Sequence, residues 1–537
     1  MSIFFCLISL HMIDYLSFVL SKNSIICCPG GTYMTAVRLG LDIGTTSIKA
    51  AAYDSTGQIV AMVEKSAPDV TGREGKSEQD MNAVLSVVLD ALKSIASKIN
   101  DFVPVSLGIS AQGDGLWAVD EAGKPVGPAM LWNDTRASAD VEQLATSGKA
   151  AAVGRACHTS LWPGTSGALW RWLKQNKPEI VSKIATIFTC GDWIGLNLTG
   201  QAGTDFSNAS IPFIDFSTRT YSSDVADALD CSDIQQHLLE PQRATTPLGT
   251  LTAETARLTG LPEGLPVSTP TLDLTAMIVG MGMDQPGQTM MIMGTTAVVN
   301  ILTDHIETHD QPVGASALHA TSDVFIRILA PTTGASAFNW FTELHPLSLG
   351  GDTPGEVAAK LNELVTKVPV GANGVTFLPY LNGERAPFVS PNVTASFQGL
   401  TSRSTKADMG RAVLEGGAMS LRHCFEMEGG LPSEPVQLTG GGSKNPVWCQ
   451  IISDVIGVPI VISEASDQGL WGAACIGAAA AGLGDVMSLV KREEKVQRYE
   501  PNAEAHAAYC KIFKRYKLLS ENARLLSKQL KQMKDEL

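Results

Sequence analysis

Two short turns, Gly44-Thr45-Thr46 and Gly294-Thr295-Thr296, recur half a chain apart, each between two apolar stretches. A turn of this composition offers backbone N–H groups and hydroxyl donors with no bulky side chain in the way, as polyphosphate oxygens require. One copy reads equally well as a plain hairpin. Two copies in the same setting point to a duplicated domain with a phosphate turn in each half. Asp42 ends the strand before the first turn. It is placed to hold Mg²⁺ through water, since Mg²⁺ keeps several waters and takes only one or two carboxylates plus phosphates; it can also cap turn amides.

Two further carboxylates have chemical readings. Asp273 stands in Ser268-Thr269-Pro270-Thr271-Leu272-Asp273-Leu274-Thr275, after a strand and before the apolar segment Ala276 to Met283. It is either a helix cap, which the local sequence favours, or a base that takes the proton of a substrate hydroxyl attacking a γ-phosphoryl group. Asp114, between Gly113 and Gly115, follows the apolar strand Val103 to Ala111. It could accept hydrogen bonds from vicinal hydroxyls of a polyol or simply sit in a turn. Gly440-Gly441-Gly442 joins a strand to a helix and suits either an adenosine or close packing.

The elements that must position these groups show as periodicities. From Val37 to Ile43 apolar residues alternate with Arg38, Gly40 and Asp42; alternation resumes at Ile48 to Ala52 and again through Ile59, Ala61 and Val63. An opening antiparallel meander argues against a Walker-type or dinucleotide-binding start, which needs strand followed by helix. A helix with Met81, Val84, Leu85, Val88, Leu89, Leu92, Ile95 and Ile99 on one face comes next, with Ser77 or Asp80 to cap it. Meander, helix, strand is the outline of an actin-like or ribonuclease-H-like domain. The second half offers strands Met290 to Met293, Ala297 to Leu302 and Val436 to Leu438, then a helix entered at Pro446 and ended by Gly457. Gly469 to Gly482 is rich in Gly and Ala, which lets a helix approach backbone or nucleotide closely, and Ala503 to Leu537 reads as a charged surface helix.

The 537 residues suit two large domains. A formal charge of −14 without any basic stripe argues against nucleic acid as a partner. The ten cysteines form no C-x-x-C pair, so a reducing compartment, no disulfides and no structural metal are expected. Residues 1–33 are apolar in stretches, but no Lys or Arg precedes them and His11 and Asp14 interrupt them. They read as an extension outside the fold, with Met34 as the natural start, no membrane partner and a cytoplasmic location.

Taken together, LGLDIGTTSIKAAAYD from Leu39, ISAQGDGLWAVDEAGKPVGPAMLWNDTRA from Ile109, TLDLTAMIVGMGM from Thr271, FLPYLNGERAP from Phe377 and LTGGGSKNPVW from Leu438 resemble the FGGY carbohydrate kinases. SLWPGTSGALWRWLKQNKPE from Ser160 and the Gln112-to-Gly115 loop are most similar to L-xylulose kinases, and the same loop resembles erythritol kinases. The resemblance implies an α/β chain of two actin-like (ribonuclease H-like) ATPase domains flanking a nucleotide and substrate cleft. Its expected spans are 34–281 for the substrate and first phosphate turn, 282–490 for the nucleotide, and 491–537 for a helical tail.

It further implies ATP and Mg²⁺ as cofactors, with Gly44, Thr45, Thr46, Gly294, Thr295 and Thr296 near phosphates and Gly441 and Asn445 at the adenosine. Asp273 becomes the catalytic base, and Gly113, Asp114 and Trp162 meet the sugar. The implied reaction is phosphorylation of a primary hydroxyl of a pentulose such as L-xylulose; erythritol or another polyol is the alternative, and D-xylulose fits less well. Leu274 stands where many relatives carry Asn or Gln, and Gly167 where xylulose and glycerol kinases tend to have Lys. Both departures move hydroxyl contacts that discriminate strongly between substrates. The partner is then a small sugar or polyol, assembly is open with a homodimer as the candidate, and an actin-like chaperone or filament protein is the reading from another class.

Overall fold

The computed structural model describes residues 25–27, 33–306, 312–344, 353–465 and 467–535. The chain divides into two compact units. The first comprises the chain up to Asp284 together with Ala317–Asp323 and Asp467–Glu493; the second comprises Gln285–Ser316, Val324–Ser466 and Glu494–Leu537. Among the described residues no helix is long and apolar enough to cross a membrane, and seven cysteines are free thiols, six of them buried.

The first unit is built on strands β1 (Tyr33–Ile43), β2 (Ser47–Tyr53), β3 (Ile59–Ser66), β4 (Phe102–Ala111), β5 (Pro266–Ser268) and β6 (Thr271–Leu272). The first three form the expected antiparallel meander. β4 then returns parallel to β1, while β5 and β6 run parallel to β4. The strand order is thus 3-2-1-4-5, the ribonuclease-H-like order. Alternation fills the core from β1 with Val37, Leu39, Leu41 and Ile43, all fully buried. The helix Met81–Lys98 starts at Asp80, whose carboxylate accepts from the Ala83 amide at 3.1 Å, and lays Val84, Val88, Leu92 and Ile95 on the meander. From the leading segment, Ile25–Cys27 pair antiparallel with Tyr33–Thr35; residues 1–24 and 28–32 lie outside the described residues.

One helix reaches this unit from far along the chain. Gln468–Ala480 packs across β1, β4 and the helix Asp273–Gly280. The contact is backbone on backbone. A Cβ at Gly108 would lie 1.7 Å from the Ala473 carbonyl oxygen, one at Gly40 2.2 Å from that of Leu470, and one at Gly280 1.9 Å from that of Gln468. From the other side, a Cβ at Gly472 would lie 1.9 Å from the Ala276 oxygen. The Gly- and Ala-rich composition therefore serves close approach to protein backbone. This helix belongs to the first unit although it lies within the span 282–490 read from the sequence as the second domain.

The second unit repeats the plan with β7 (Thr289–Met293), β8 (Ala297–Thr303), β9 (Phe325–Leu329), β10 (Val436–Thr439) and β11 (Ile460–Ser463). β7, β8 and β9 are antiparallel neighbours, β10 is parallel to β7 and β11 to β10. Strand order 3-2-1-4-5 recurs, as the repeated turn predicts. Helix Lys406–Met427 opens on a Thr405/Asp408 capping box and is buried along most of its length. Helix Pro446–Ile456 closes at Gly457, whose φ of 88° is the left-handed conformation a glycine adopts freely. The helix Ala503–Asp535 docks through Tyr509, Phe513 and Tyr516, with the Tyr509 hydroxyl donating to Glu415 at 2.9 Å.

Gly108→Ala forces a methyl into backbone and is expected to cost about 3 kcal/mol. Gly127→Ala, where a Cβ meets nothing within 4 Å, is expected to stay within about 0.5 kcal/mol of the parent. Thermal unfolding of the two variants measures the difference.

Candidate active site

Three parallel strands end in step. Asp42 of β1 pairs with Ser110 of β4, and Ser110 with Thr271 of β6; one residue on, Ile43, Ala111 and Leu272 are likewise abreast. The residues that follow leave the sheet together: Gly44–Thr46, Gln112–Gly115 and Asp273. Their sequence positions are remote, yet the ladder places them on one edge, at the carboxyl ends where open α/β sheets carry ligand contacts. The Gln112 amide donates to the Ile43 carbonyl at 2.8 Å, extending the pairing into the loop.

Behind the first turn two buried glutamines close a ring. The Thr45 hydroxyl donates to Gln112 Oε1 at 2.8 Å, Gln112 Nε2 donates to Gln79 Oε1 at 3.1 Å, and Gln79 Nε2 donates to the Thr45 carbonyl at 3.1 Å and the Pro68 carbonyl at 2.9 Å. Buried amides must be satisfied, so this ring holds Thr45 in one orientation. Trp132 Nε1 donates to the Thr45 hydroxyl oxygen at 3.3 Å and Trp162 Nε1 to the Trp132 carbonyl at 3.2 Å. The Gly115 amide bonds the Gly164 carbonyl at 3.2 Å, so the loops carrying Asp114, Trp132 and Trp162 are joined. Gln79 and Trp132 carry no local sequence signal for such a role: one reads as a polar residue before a cap, the other as an apolar residue in a loop.

The Gln112–Gly115 loop is sterically tight. A Cβ at Gly113 would lie 2.1 Å from Leu272 Cδ1, so Leu272 occupies the space a side chain there would need. Asp114 has φ of 54° and Gly115 72°: both lie in the left-handed region, which costs the aspartate something and the glycine nothing. Gly167 faces Phe213 and Leu229, each within 2.8 Å of an added Cβ, so a lysine at this position would have to displace a packed core.

Asp273 is the first residue of its helix, and the preceding N-cap position is Leu272, which gives no side-chain cap. Its carboxylate accepts from the Leu274 amide at 2.6 Å and stays open on its outer side. The protein crowding its inner side, followed by the charge of Asp42, pushes its pKa up to about 7. Burial pushes Asp42 up as well, opposed by the Ser110 hydroxyl at 2.7 Å and by Lys49. Asp114 rises to about 7 through burial and then the charge of Asp273. Neighbouring carboxylates that each favour a proton form a setting suited to a hard dication, with Asp42 the carboxylate that could hold it.

The remaining candidates belong to the second unit, where they also converge. β7 and β10 pair Ile292 with Thr439, so Gly294–Thr296 and Gly440–Asn445 leave neighbouring parallel strands. A Cβ at Gly440 would lie 2.8 Å from the Met293 oxygen, whereas one at Gly441 would meet nothing within 4 Å, leaving an open backbone face. Asn445 caps the helix Pro446–Ile456 by accepting from the Trp448 amide at 3.2 Å and donates to Asn362 at 3.1 Å. The segment Gly334–Ser336 wraps the Gly294–Thr296 turn: the amides of Gly334 and Ala335 donate to the carbonyls of Thr295 and Gly294 at 3.0 and 2.8 Å. Beside them the buried Thr333 hydroxyl has no partner. An open glycine face beside an unpartnered hydroxyl fits a nucleotide's phosphates and sugar.

The N-terminal domain of the FGGY family of carbohydrate kinases matches residues 37–280 and its C-terminal domain residues 289–481. A probable L-xylulose kinase of Pasteurella multocida is 28% identical over 487 residues, covering 90% of this chain and 98% of its own. An erythritol kinase of Brucella abortus is 30% identical over 461 residues, covering 83% and 87%. The crystal structure of xylulose kinase from Rhodospirillum rubrum superimposes with a TM-score of 0.83 at 24% identity, over 91% of this chain and 99% of that one.

The charge arrangement predicts a titration. In carboxylate-selective NMR, Asp273 is expected to protonate far above the ordinary 3.8, near 7. Asp42→Asn removes the negative neighbour and lowers that midpoint, and Mg²⁺ lowers it in the parent; an Asp273 midpoint near 3.8 in the parent would contradict the geometry.

Proposed function

Because the chain belongs to the FGGY family of carbohydrate kinases, enzymes that transfer phosphate from ATP with Mg²⁺ to sugar or polyol hydroxyls, we propose that its acceptor is the primary hydroxyl of a pentulose of the L-xylulose kind. The observation that carries the mechanism is Asp273 itself: a solvent-open carboxylate of raised proton affinity, at the sheet edge shared with the Thr45 turn and the Asp114 loop. A proton acceptor works best when its pKa lies near the working pH. In the step assigned to it, the acceptor oxygen forms its bond to the γ-phosphorus, the bond from that phosphorus to the departing ADP oxygen breaks, and the hydroxyl proton passes to Asp273. Mg²⁺, when bound, neutralises charge on the phosphate oxygens, and Asp42 is the residue to hold it.

In this reading Thr45 and Thr46 meet phosphate in the first unit, Gly294, Thr295, Thr296 and Gly441 meet phosphate or adenosine in the second, and Asn445 shapes the nucleotide loop. Gly334 joins them on geometric grounds, since an added Cβ there would strike the Gly294–Thr296 turn. Asp114 accepts from vicinal hydroxyls, and Trp162 packs on the carbon face. Leu272 and Leu274 beside Asp273 leave an apolar flank, which favours an acceptor with few hydroxyls on that side. The coverage and identity of the probable L-xylulose kinase support a pentulose; those of the erythritol kinase support a tetritol as the second reading.

Asp273→Asn is expected to keep ATP binding and lose about 10²–10⁴-fold in phosphoryl transfer. An ADP-coupled assay over L-xylulose, D-xylulose, pentitols and erythritol identifies the acceptor, with highest kcat/KM expected for L-xylulose. Near-parent turnover by the Asn variant would remove Asp273 from the mechanism.

A further inference from the structure

Beneath the strand-to-helix junction that delivers Asp273 lies a closed set of buried polar groups. Asp205 is fully buried, as are Thr271 and Thr275, and Ser207 is 1% exposed. Asp205 Oδ2 accepts from the Thr271 hydroxyl at 2.8 Å, both Asp205 oxygens lie 2.8 Å from the Ser207 hydroxyl, and Oδ1 also accepts from the Asn208 amide at 2.9 Å. Ser207 Oγ in turn accepts from the Leu272 amide at 3.2 Å, and the Thr275 hydroxyl lies 2.8 Å from the Leu272 carbonyl and 3.1 Å from Ser207 Oγ. Asn208 Nδ2 donates to the Pro270 carbonyl at 3.3 Å. Pro270, Thr271 and Leu272 are thereby held at both backbone and side chain, immediately before Asp273.

The direction of these bonds follows from proton counting. Each hydroxyl has one proton, and an ionised carboxylate only accepts. With Asp205 as the sink, Ser207 and Thr271 both point their protons at it. The lone pairs of Ser207 are then turned outward, where the Leu272 N–H needs an acceptor. A neutral amide at position 205 would present a donor on one side, reverse one hydroxyl and leave a buried N–H or hydroxyl unmatched.

We infer that Asp205 is a positioning residue for Asp273: through Ser207 and Thr271 it fixes the peptide of Leu272, and so the direction in which the Asp273 carboxylate leaves the sheet edge. This rests on Asp273 being the proton acceptor. A misplacement of the order of 1 Å at a reacting group can cost about 10²-fold in rate, so an effect on turnover is expected without any contact to substrate.

The test is kinetic, on the full chain with L-xylulose and, separately, erythritol as acceptor. Asp205→Asn is expected to lower kcat at least tenfold while KM for MgATP stays within twofold of the parent. Ser207→Ala, which keeps the carboxylate but removes the acceptor for Leu272, is expected to lower kcat alike, and the Asp205→Asn/Ser207→Ala pair no further than the worse single change. Placed on Asp273→Asn, the Asp205→Asn change is expected to leave the residual rate unaltered, since its effect runs through a group already removed. Parent kcat in folded Asp205→Asn, a further fall on the Asp273→Asn background, or loss confined to unfolding temperature with kcat per folded molecule intact would each overturn the assignment. Near-parent kcat in Asp273→Asn instead would fault the base, not the clamp.

Discussion

Carboxylates repel one another, and Asp42 and Asp273 stay close because a backbone ladder holds them there. The parallel register of β1, β4 and β6 sets Asp42, Ser110 and Thr271 abreast, so the positions of the residues that follow are decided by main-chain hydrogen bonds in a buried sheet. Slipping β4 by one residue would exchange its two faces, removing the Ser110 hydroxyl from Asp42 and turning Gln112 away from Thr45. The Gly44–Thr46 turn, the Gln112–Gly115 loop and Asp273 thus share one geometric cause.

That ladder needs cover on its helical face, and the cover is unusually close. With backbone atoms of Gln468–Ala480 against Gly40, Gly108 and Gly280, the sheet and the helix bearing Asp273 are gripped by the same element. Helices packed through side chains sit 8–10 Å apart and tolerate small repacking. Contact through glycine and carbonyl leaves no such slack, so the helix that begins at Asp273 is rigidly supported. The same element explains why the chain visits the second unit before completing the first.

Much of this was legible in the sequence because it is local. The meander, the helix Met81–Lys98 with its Asp80 cap, the repeated turn and the helix ended by Gly457 all follow from periodicity and capping within a few residues of each position. The repeat also anticipated a duplicated domain, and strand order 3-2-1-4-5 occurs in both units. What could not be read joins residues far apart in sequence. Asp205 looks like a cap, and it is one for the short helix Phe206–Ala209; its bond to Thr271 spans 66 positions. The ring of Thr45, Gln79 and Gln112 closes over separations of 33 to 67 residues. Composition announced that Gly469 to Gly482 approaches something closely, without saying whose backbone.

Asp42, Asp114 and Asp273 each hold a proton more firmly than a free aspartate. For a carboxylate whose folded pKa exceeds its unfolded value, the favourable contribution is present below the unfolded pKa of 3.8 and is lost as pH rises through the folded pKa. Near neutrality this edge therefore weakens the fold, and the weakness has a use. A cation that binds the ionised carboxylates offsets what burial, and after it their mutual repulsion, removed from the stability of the free protein. Burial raises Asp205 as well, to about 6, opposed by the Asn208, Ser207 and Thr271 donors, which leaves it mostly ionised at neutral pH. Its partners are hydroxyls and an amide that all donate to it, and it is sealed from solvent, so its charge sets the direction of the bonds around it.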